Sequence, residues 1–328
     1  MAASYIWVRA AGFPTSVYIG EFVVSLLPMI FYFVGRVFIK ESHKWYRNFL
    51  IAVLVCGFVG LILYCLAPDF YNQWSLSVDY ISKADAQTTR VRMNSVVGST
   101  CLSAISVLGM VVSSGFIKKD NKNKSVIAIA SFFMCMLFAI LSNQRSGLVV
   151  AFLVLVYVNY LLFFVLDIIP RKYFKYELIA IAVVFGLLCV VKIEYVLKFW
   201  YRIESLPGAV SERSEQWIAA VNNMYSTWLG NGLGCNGHRA LGIENAHVIA
   251  DGSLVKLYCE DGVIGFSIFV YLLILIIKKG IANIDKYYVE VGIIIALLLQ
   301  SIGSNMLAFQ LCTPIFWYAI GRINRIDK

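Results

Sequence analysis

Charge is what this chain of 328 residues has least of: Asp, Glu, Lys and Arg together make up 14% of it, against roughly 25% in an ordinary soluble domain. With 60% of its residues hydrophobic, a water-soluble globule is excluded. Proline, at 6, and glycine, at 23, are too few for a collagenous or low-complexity chain, and the apolar content excludes a disordered one. The sequence also lacks a P-loop, a GxSxG elbow, an HExxH pair and an Asp-x-Asp motif. Those absences leave an ATP-driven pump, or a nucleotide-sugar transferase with a soluble catalytic domain, with nowhere to put its site.

Long apolar runs are what is present. A helix crossing a bilayer core needs about 20 mostly apolar residues, and such runs fall at 17–39, 49–66, 96–117, 125–142, 148–166, 178–192, 263–277, 288–303 and 306–321. They are apolar all round and lack the alternation of barrel strands. This predicts an all-α polytopic membrane protein of about nine transmembrane helices, a single integral domain over 1–328. Gly303-Ser304-Asn305 leaves almost no loop between the last two runs, so a re-entrant hairpin is the alternative there.

The formal charge of +9 arises from 28 Lys and Arg against 19 Asp and Glu. Sorted by connection, the segments 40–48, 118–124, 167–177, 278–287 and 322–328 hold sixteen basic residues, and the alternate set at 1–16, 67–95, 143–147 and 193–262 holds ten in more than twice the length. The positive-inside rule places the first set in the cytoplasm, the N-terminus outside and the C-terminus inside. The charge is therefore a topology signal, and no nucleic-acid partner is expected. Residues 1–16 have neither the h-region nor the cleavage site of a signal peptide; an outside N-terminus is awkward to insert, which leads to the expectation of a further span ahead of Met1.

The loop 193–262 is the one outer, periplasmic connection long enough to fold on its own, and short amphipathic helices are expected in it. A helix is predicted from Ser211: Ser is a good N-cap, Glu212 and Glu215 suit the positive end of the dipole, and Trp217, Val221, Met224 and Trp228 recur at helical spacing. Arg213 lies four residues before Trp217 and so shares its face. It either touches lipid phosphate from an interfacial helix or reaches inward to a pyrophosphate, which suits a planar five-donor cation. Gly230-Asn231-Gly232-Leu233-Gly234-Cys235-Asn236-Gly237 contains a formal GxGxxG. It sits in no βαβ unit, so it is set aside as a dinucleotide site and read as backbone that can turn tightly and approach another segment closely.

His238-Arg239, His247 and Asp251 follow, before Glu260-Asp261-Gly262 leads into the seventh run. An imidazole or carboxylate beside an arginine is what a general base needs; alternatively His238 and His247 merely cap turns. Cys235, His238, His247 and Cys259 lack the paired spacing of a zinc site, and neither metal nor cofactor is expected. A disulfide between Cys235 and Cys259 is compatible with an oxidising compartment, two thiols being the plainer reading. In the outer turn Asn143-Gln144-Arg145-Ser146-Gly147, Arg145 reads either as a snorkelling anchor or, since so short an outer turn disfavours Arg, as a functional cation. Arg90 and Arg92, ahead of the third run, read as lipid contacts.

Taken together, the Asn143-Gln144-Arg145-Ser146-Gly147 turn, Arg213 with Trp217, Leu229-Gly230-Asn231-Gly232-Leu233-Gly234, and Asp251 ahead of Glu260-Asp261-Gly262-Val263-Ile264-Gly265 resemble the O-antigen polymerases of the lipopolysaccharide pathway. These belong to a superfamily that includes the O-antigen ligases, and the layout of most of the chain resembles theirs. The resemblance implies a metal-independent, inverting glycosyltransferase at the periplasmic face of the bacterial inner membrane. It would join oligosaccharide repeat units carried on undecaprenyl pyrophosphate, with lipid-linked glycans, membrane lipids and a chain-length regulator as partners. The pyrophosphate would be held by Arg145, Arg213 and Arg239, and the acceptor proton taken by His247, Asp251 or His238. Ligases commonly carry a His followed by Asn at the position matched by Asp251-Gly252, which favours polymerase over ligase. A ligase and a lipid-linked oligosaccharide flippase or transporter are the alternatives.

Overall fold

The computed structural model describes residues 2–37, 42–67, 92–119, 122–175, 179, 206–244, 246–309 and 311–325. The run expected at 178–192, the loop residues 193–205 and Arg90 lie outside the described residues, save residue 179. Every regular element among the described residues is helical.

Short α1 (Ala2–Ala10) precedes α2 (Thr15–Val37), which passes through a π-turn at Phe22–Leu26 and a 3-10 turn at Leu27–Met29 before resuming. Pro28 causes the irregularity, since it has no N–H to donate and its ring crowds the carbonyl one turn back. The other long helices are α3 (Ser42–Leu66), α5 (Lys122–Ser142), α6 (Arg145–Val165), α8 (Ser253–Ala282) and α9 (Ile284–Gly303), with α4 (Ser99–Ser114), α7 (Leu206–Asn222) and α10 (Thr313–Ile323) shorter. Six of these, α2, α3, α5, α6, α8 and α9, are long and apolar enough to cross a membrane.

The runs at 96–117 and 306–321 fold differently from the spans expected of them. Helices α4 and α10 have 16 and 11 residues, about 24 and 16 Å of rise against a bilayer core of about 30 Å. Of α4, all but Thr100 and Cys101 are buried, and α3, α5, α6 and α9 surround it. Its apolar run reflects burial in protein. After α9 the backbone is extended at Ser304, turns through Met306–Ala308 and enters α10 with Pro314 in the first turn.

Helix α10 packs along α2 with glycines in register. A Cβ on Gly35 would overlap the carbonyl oxygen of Tyr318, and one on Gly321 that of Tyr32. Between helices in an apolar medium, such close backbone approach supplies the dispersion contact that holds them together. At the same end Glu290 is buried, and it accepts from Tyr46 Oη at 3.0 Å and Arg322 Nε at 3.3 Å. That pairing meets a charge which would otherwise be costly inside the bundle.

Helix α8 is interrupted at Gly262 (φ 65, ψ −174). The loop Thr227–Gly232 fills the gap: the amides of Asn231 and Gly232 donate to the carbonyls of Cys259 and Glu260 at 2.8 and 2.9 Å, and the amides of Val263 and Ile264 donate back to Thr227 and Trp228 at 2.9 and 3.3 Å. Gly230, at φ +75, lies so close that a Cβ would strike the Glu260 carbonyl. The glycine-rich stretch thus serves close backbone approach. Replacing Gly321 with Val should force α2 and α10 apart at a cost of about 1–3 kcal/mol, read as a lower melting temperature of the detergent-purified protein; an unchanged melting curve would show that the contact carries no stability.

Candidate functional site

The site is built around a strap, residues 246–252, that runs into α8. Asn236 donates its side-chain amide to the His247 carbonyl at 2.8 Å, and the Ile249 amide donates to the Asn236 carbonyl at 2.9 Å. From the opposite side Asn305 donates to the carbonyls of Ile249 and Ala250 at 2.8 and 2.9 Å. Trp217 Nε1 donates to the Asp251 carbonyl at 2.7 Å. Gly252 then takes φ +118, with the Trp217 ring about 3.0 Å from where a Cβ would sit. Each of these bonds satisfies a carbonyl that an irregular strap would otherwise leave without a partner.

With the strap pinned, Asp251 Oδ2 accepts from Arg213 Nη2 at 2.8 Å, the two side chains 24% and 31% exposed. The pair is therefore reachable from solvent, yet fixed. The same corner holds the turn before α6. Ser146 Oγ lies 3.5 Å from Ser304 Oγ, and a Cβ on Gly303 would sit 3.0 Å from Ser146 Cβ and 3.7 Å from Arg213 Nη1. Arg145 is the first residue of α6, adjacent to Ser146. Gln144, which precedes it, anchors the turn by donating to Ser99 Oγ and Thr100 Oγ1, both at 2.9 Å.

Arg213, Asp251 and the 143–147 turn thus converge on Gly303-Ser304, while the remaining candidates go elsewhere. His238 and Arg239 are exposed on a 3-10 turn, His238–Ala240, that packs against α2. There the Arg239 side chain lies over Gly20, close enough to Glu21 to act on its charge. His247 is half-buried at the start of the strap. Helix α7 starts at Leu206, five residues ahead of the expected Ser211, because Pro207 fits a first helical turn. It ends at Asn222, short of Met224 and Trp228. Trp217 and Met224 still pack with Ala220, Ile249 and Cys259, whereas Trp228 and Val221 are exposed.

Two features escape sequence reading. The first is Asn305, whose role depends on a strap more than fifty residues away in sequence. The second is an ion-pair group buried beside the strap, in which Lys256 Nζ bonds Glu21 and stands 3.5 Å from Glu260, and Ser25 donates to Glu21. The only sequence signal for it is that Glu21 interrupts an apolar run, and no spacing rule links it to Lys256.

Cys235 and Cys259 are free thiols in separate apolar clusters, one with Val8, Phe13 and Val17, the other with Ala220 and Ile249. Among the described residues no group of three or more His, Cys, Asp or Glu could hold a metal ion. The chain matches no known family model, and a search of curated proteins returns no match.

Truncating Asn305 to Ala should leave two strap carbonyls unpaired and cost about 1–3 kcal/mol, seen as faster amide exchange over 246–252; unchanged exchange would show that the strap is held by something else. Burial, with the charge of Glu260 adding to it, pushes the Cys235 thiol up to about 12 from an ordinary value of about 8.5. The thiolate that alkylates is thus scarce at pH 8. Followed by peptide mass spectrometry, Cys235 should alkylate roughly 100-fold more slowly in the folded protein than after unfolding. Equal rates would place it at the surface.

Proposed function

We propose that this chain is an O-antigen polymerase of the bacterial inner membrane, with the 193–262 loop on the periplasmic side. It joins undecaprenyl-pyrophosphate-linked repeat units by inverting glycosyl transfer. The observation that carries the reading is the convergence of Arg213, Asp251 and the Arg145-Ser146 turn on Gly303-Ser304, from segments 38 and 158 residues apart. These are the stretches on which the family resemblance rests.

In the proposed reaction the acceptor hydroxyl attacks the anomeric carbon, the bond from that carbon to the pyrophosphate oxygen breaks, and undecaprenyl pyrophosphate leaves as an anion. Arg213, together with Arg145 at the start of α6, is assigned to stabilising the charge that develops on the leaving group. An inverting displacement puts the base on the face opposite the leaving group. Asp251 is bonded to Arg213 itself and so stands on the leaving-group side. We therefore assign it to holding the guanidinium in place, and the proton to His247 at the far end of the same strap. His238 and Arg239, on the α2 side, are assigned to the acceptor.

A flippase would need polar side chains along its route through the membrane. The groove between α2, α8 and α10 is lined mostly by apolar side chains, Phe33, Ile268 and Leu272 among them, which favours the enzyme. Asp251-Gly252, where ligases commonly carry His-Asn, favours polymerase over ligase. Replacing Arg213 or Arg145 with Ala should leave the protein in the membrane and cut polymerisation roughly 100-fold or more. Lipopolysaccharide gels of the complemented deletion strain would then show a single repeat on the core in place of a ladder. Normal ladders from both variants would remove the assignment.

A further inference from the structure

Helix α7 has one face more than packing on the bundle requires. Arg213, Trp217 and Ala220 share the face turned to the strap and to Cys259 of α8. About 100° further round, at 3.6 residues per turn, Ile218 and Val221 are exposed, and just past the helix end Tyr225, Trp228 and Leu229 are exposed as well. The exposure is large, 58% at Ile218, 57% at Tyr225 and 65% at Trp228. Glu215, Gln216 and Asn222 are exposed on the remaining arc of the helix. A packed face, then an apolar face, then a polar face is what a helix lying in a membrane interface beside a bundle presents.

What covers the apolar face follows from where it joins the bundle. The Ile264 amide donates to the Trp228 carbonyl at 3.3 Å, so Trp228 abuts the point at which α8 resumes after Gly262. From there Ile264, Ile268, Leu272 and Leu275 are exposed at spacings of four and three, hence on one side of α8. On a helix long and apolar enough to cross a membrane, such a side faces acyl chains. The loop patch therefore begins where the lipid-facing side of α8 ends. Composition changes at the same level: Trp228 and Tyr225, the latter with the Trp7 ring 5.1 Å away, are of the residue types that gather at the boundary of headgroups and chains. We propose that α7 and the turn after it dock on the lipids of the adjoining leaflet, with Ile218, Val221, Tyr225, Trp228 and Leu229 set among the upper ends of the acyl chains. The partner is a lipid surface, and the proposal is independent of the glycosyl-transfer reading.

Trp228 is itself the reporter. The purified protein would be reconstituted in phosphatidylcholine vesicles whose lipids carry bromine either high on the acyl chain or near its end, and the Trp228 contribution isolated by subtracting the fluorescence of Trp228→Phe. Bromine high on the chain should quench that contribution roughly twofold or more over bromine near the end, since an interfacial helix sits about 5–10 Å into the boundary of headgroups and chains. A tryptophan placed on the polar arc, Gln216→Trp in the Trp228→Phe background, should instead be quenched by aqueous iodide and spared by both lipids. Trp228 quenched by iodide and by neither lipid would put the patch in water, and quenching as strong or stronger by bromine near the chain end would put it in the bilayer core. A Trp228 contribution untouched by all three would show that protein covers the patch, from this chain or a second copy. Each of these results overturns the proposal, as does quenching of Gln216→Trp by the lipids, which would remove the water-facing side.

Discussion

A helix interrupted among apolar neighbours must find new partners for the backbone groups it releases, and this constraint shapes the half of the molecule that carries the site. At Gly262 the α8 ladder opens, and Thr227–Gly232 enters to take its place, amide for amide. That crossing ties the loop to α8. It also sets the path of the next segment, because the same loop continues to Asn236, which binds both the strap and, through its amide, Glu260. Removing the crossing would take away the Asn236 anchor and leave the strap held by Trp217 and Asn305 alone.

Two kinds of charge pairing result, in different surroundings. Arg213 and Asp251 are partly exposed at the corner where three segments meet, so their pairing can be exchanged for a ligand at modest cost. Lys256 and its two glutamates are buried, and breaking that group would strand a charge inside the protein. The first arrangement suits binding and release of an anion. The second suits a fixed wall.

Apolar periodicity revealed most of the helices, because membrane-length runs dominate the sequence. It could not separate a crossing helix from one buried in protein: α4 and α10 read as spans and prove too short, since both environments select the same residues. The shared face of Arg213 and Trp217 was legible from their spacing of four, and both side chains indeed meet Asp251. The glycines at 230–234 were legible as close-approach backbone, but their partner, the gap in α8, was not. Neither Asn305 nor the Glu21–Lys256 pair announces itself, because each acts through a segment that only the fold brings near. Arg239 shows the reverse: its place in the sequence, beside His238, suggested the same site as Arg213, and the turn carries it to α2 instead.

The reading of this corner as a glycosyl-transfer site is tested most directly with purified protein in vesicles, supplied with undecaprenyl-pyrophosphate-linked repeat units and a chelator. The account predicts products of several repeats on one lipid, with one undecaprenyl pyrophosphate released for each bond formed. Repeat units that remain single, whether or not they cross the bilayer, would contradict it.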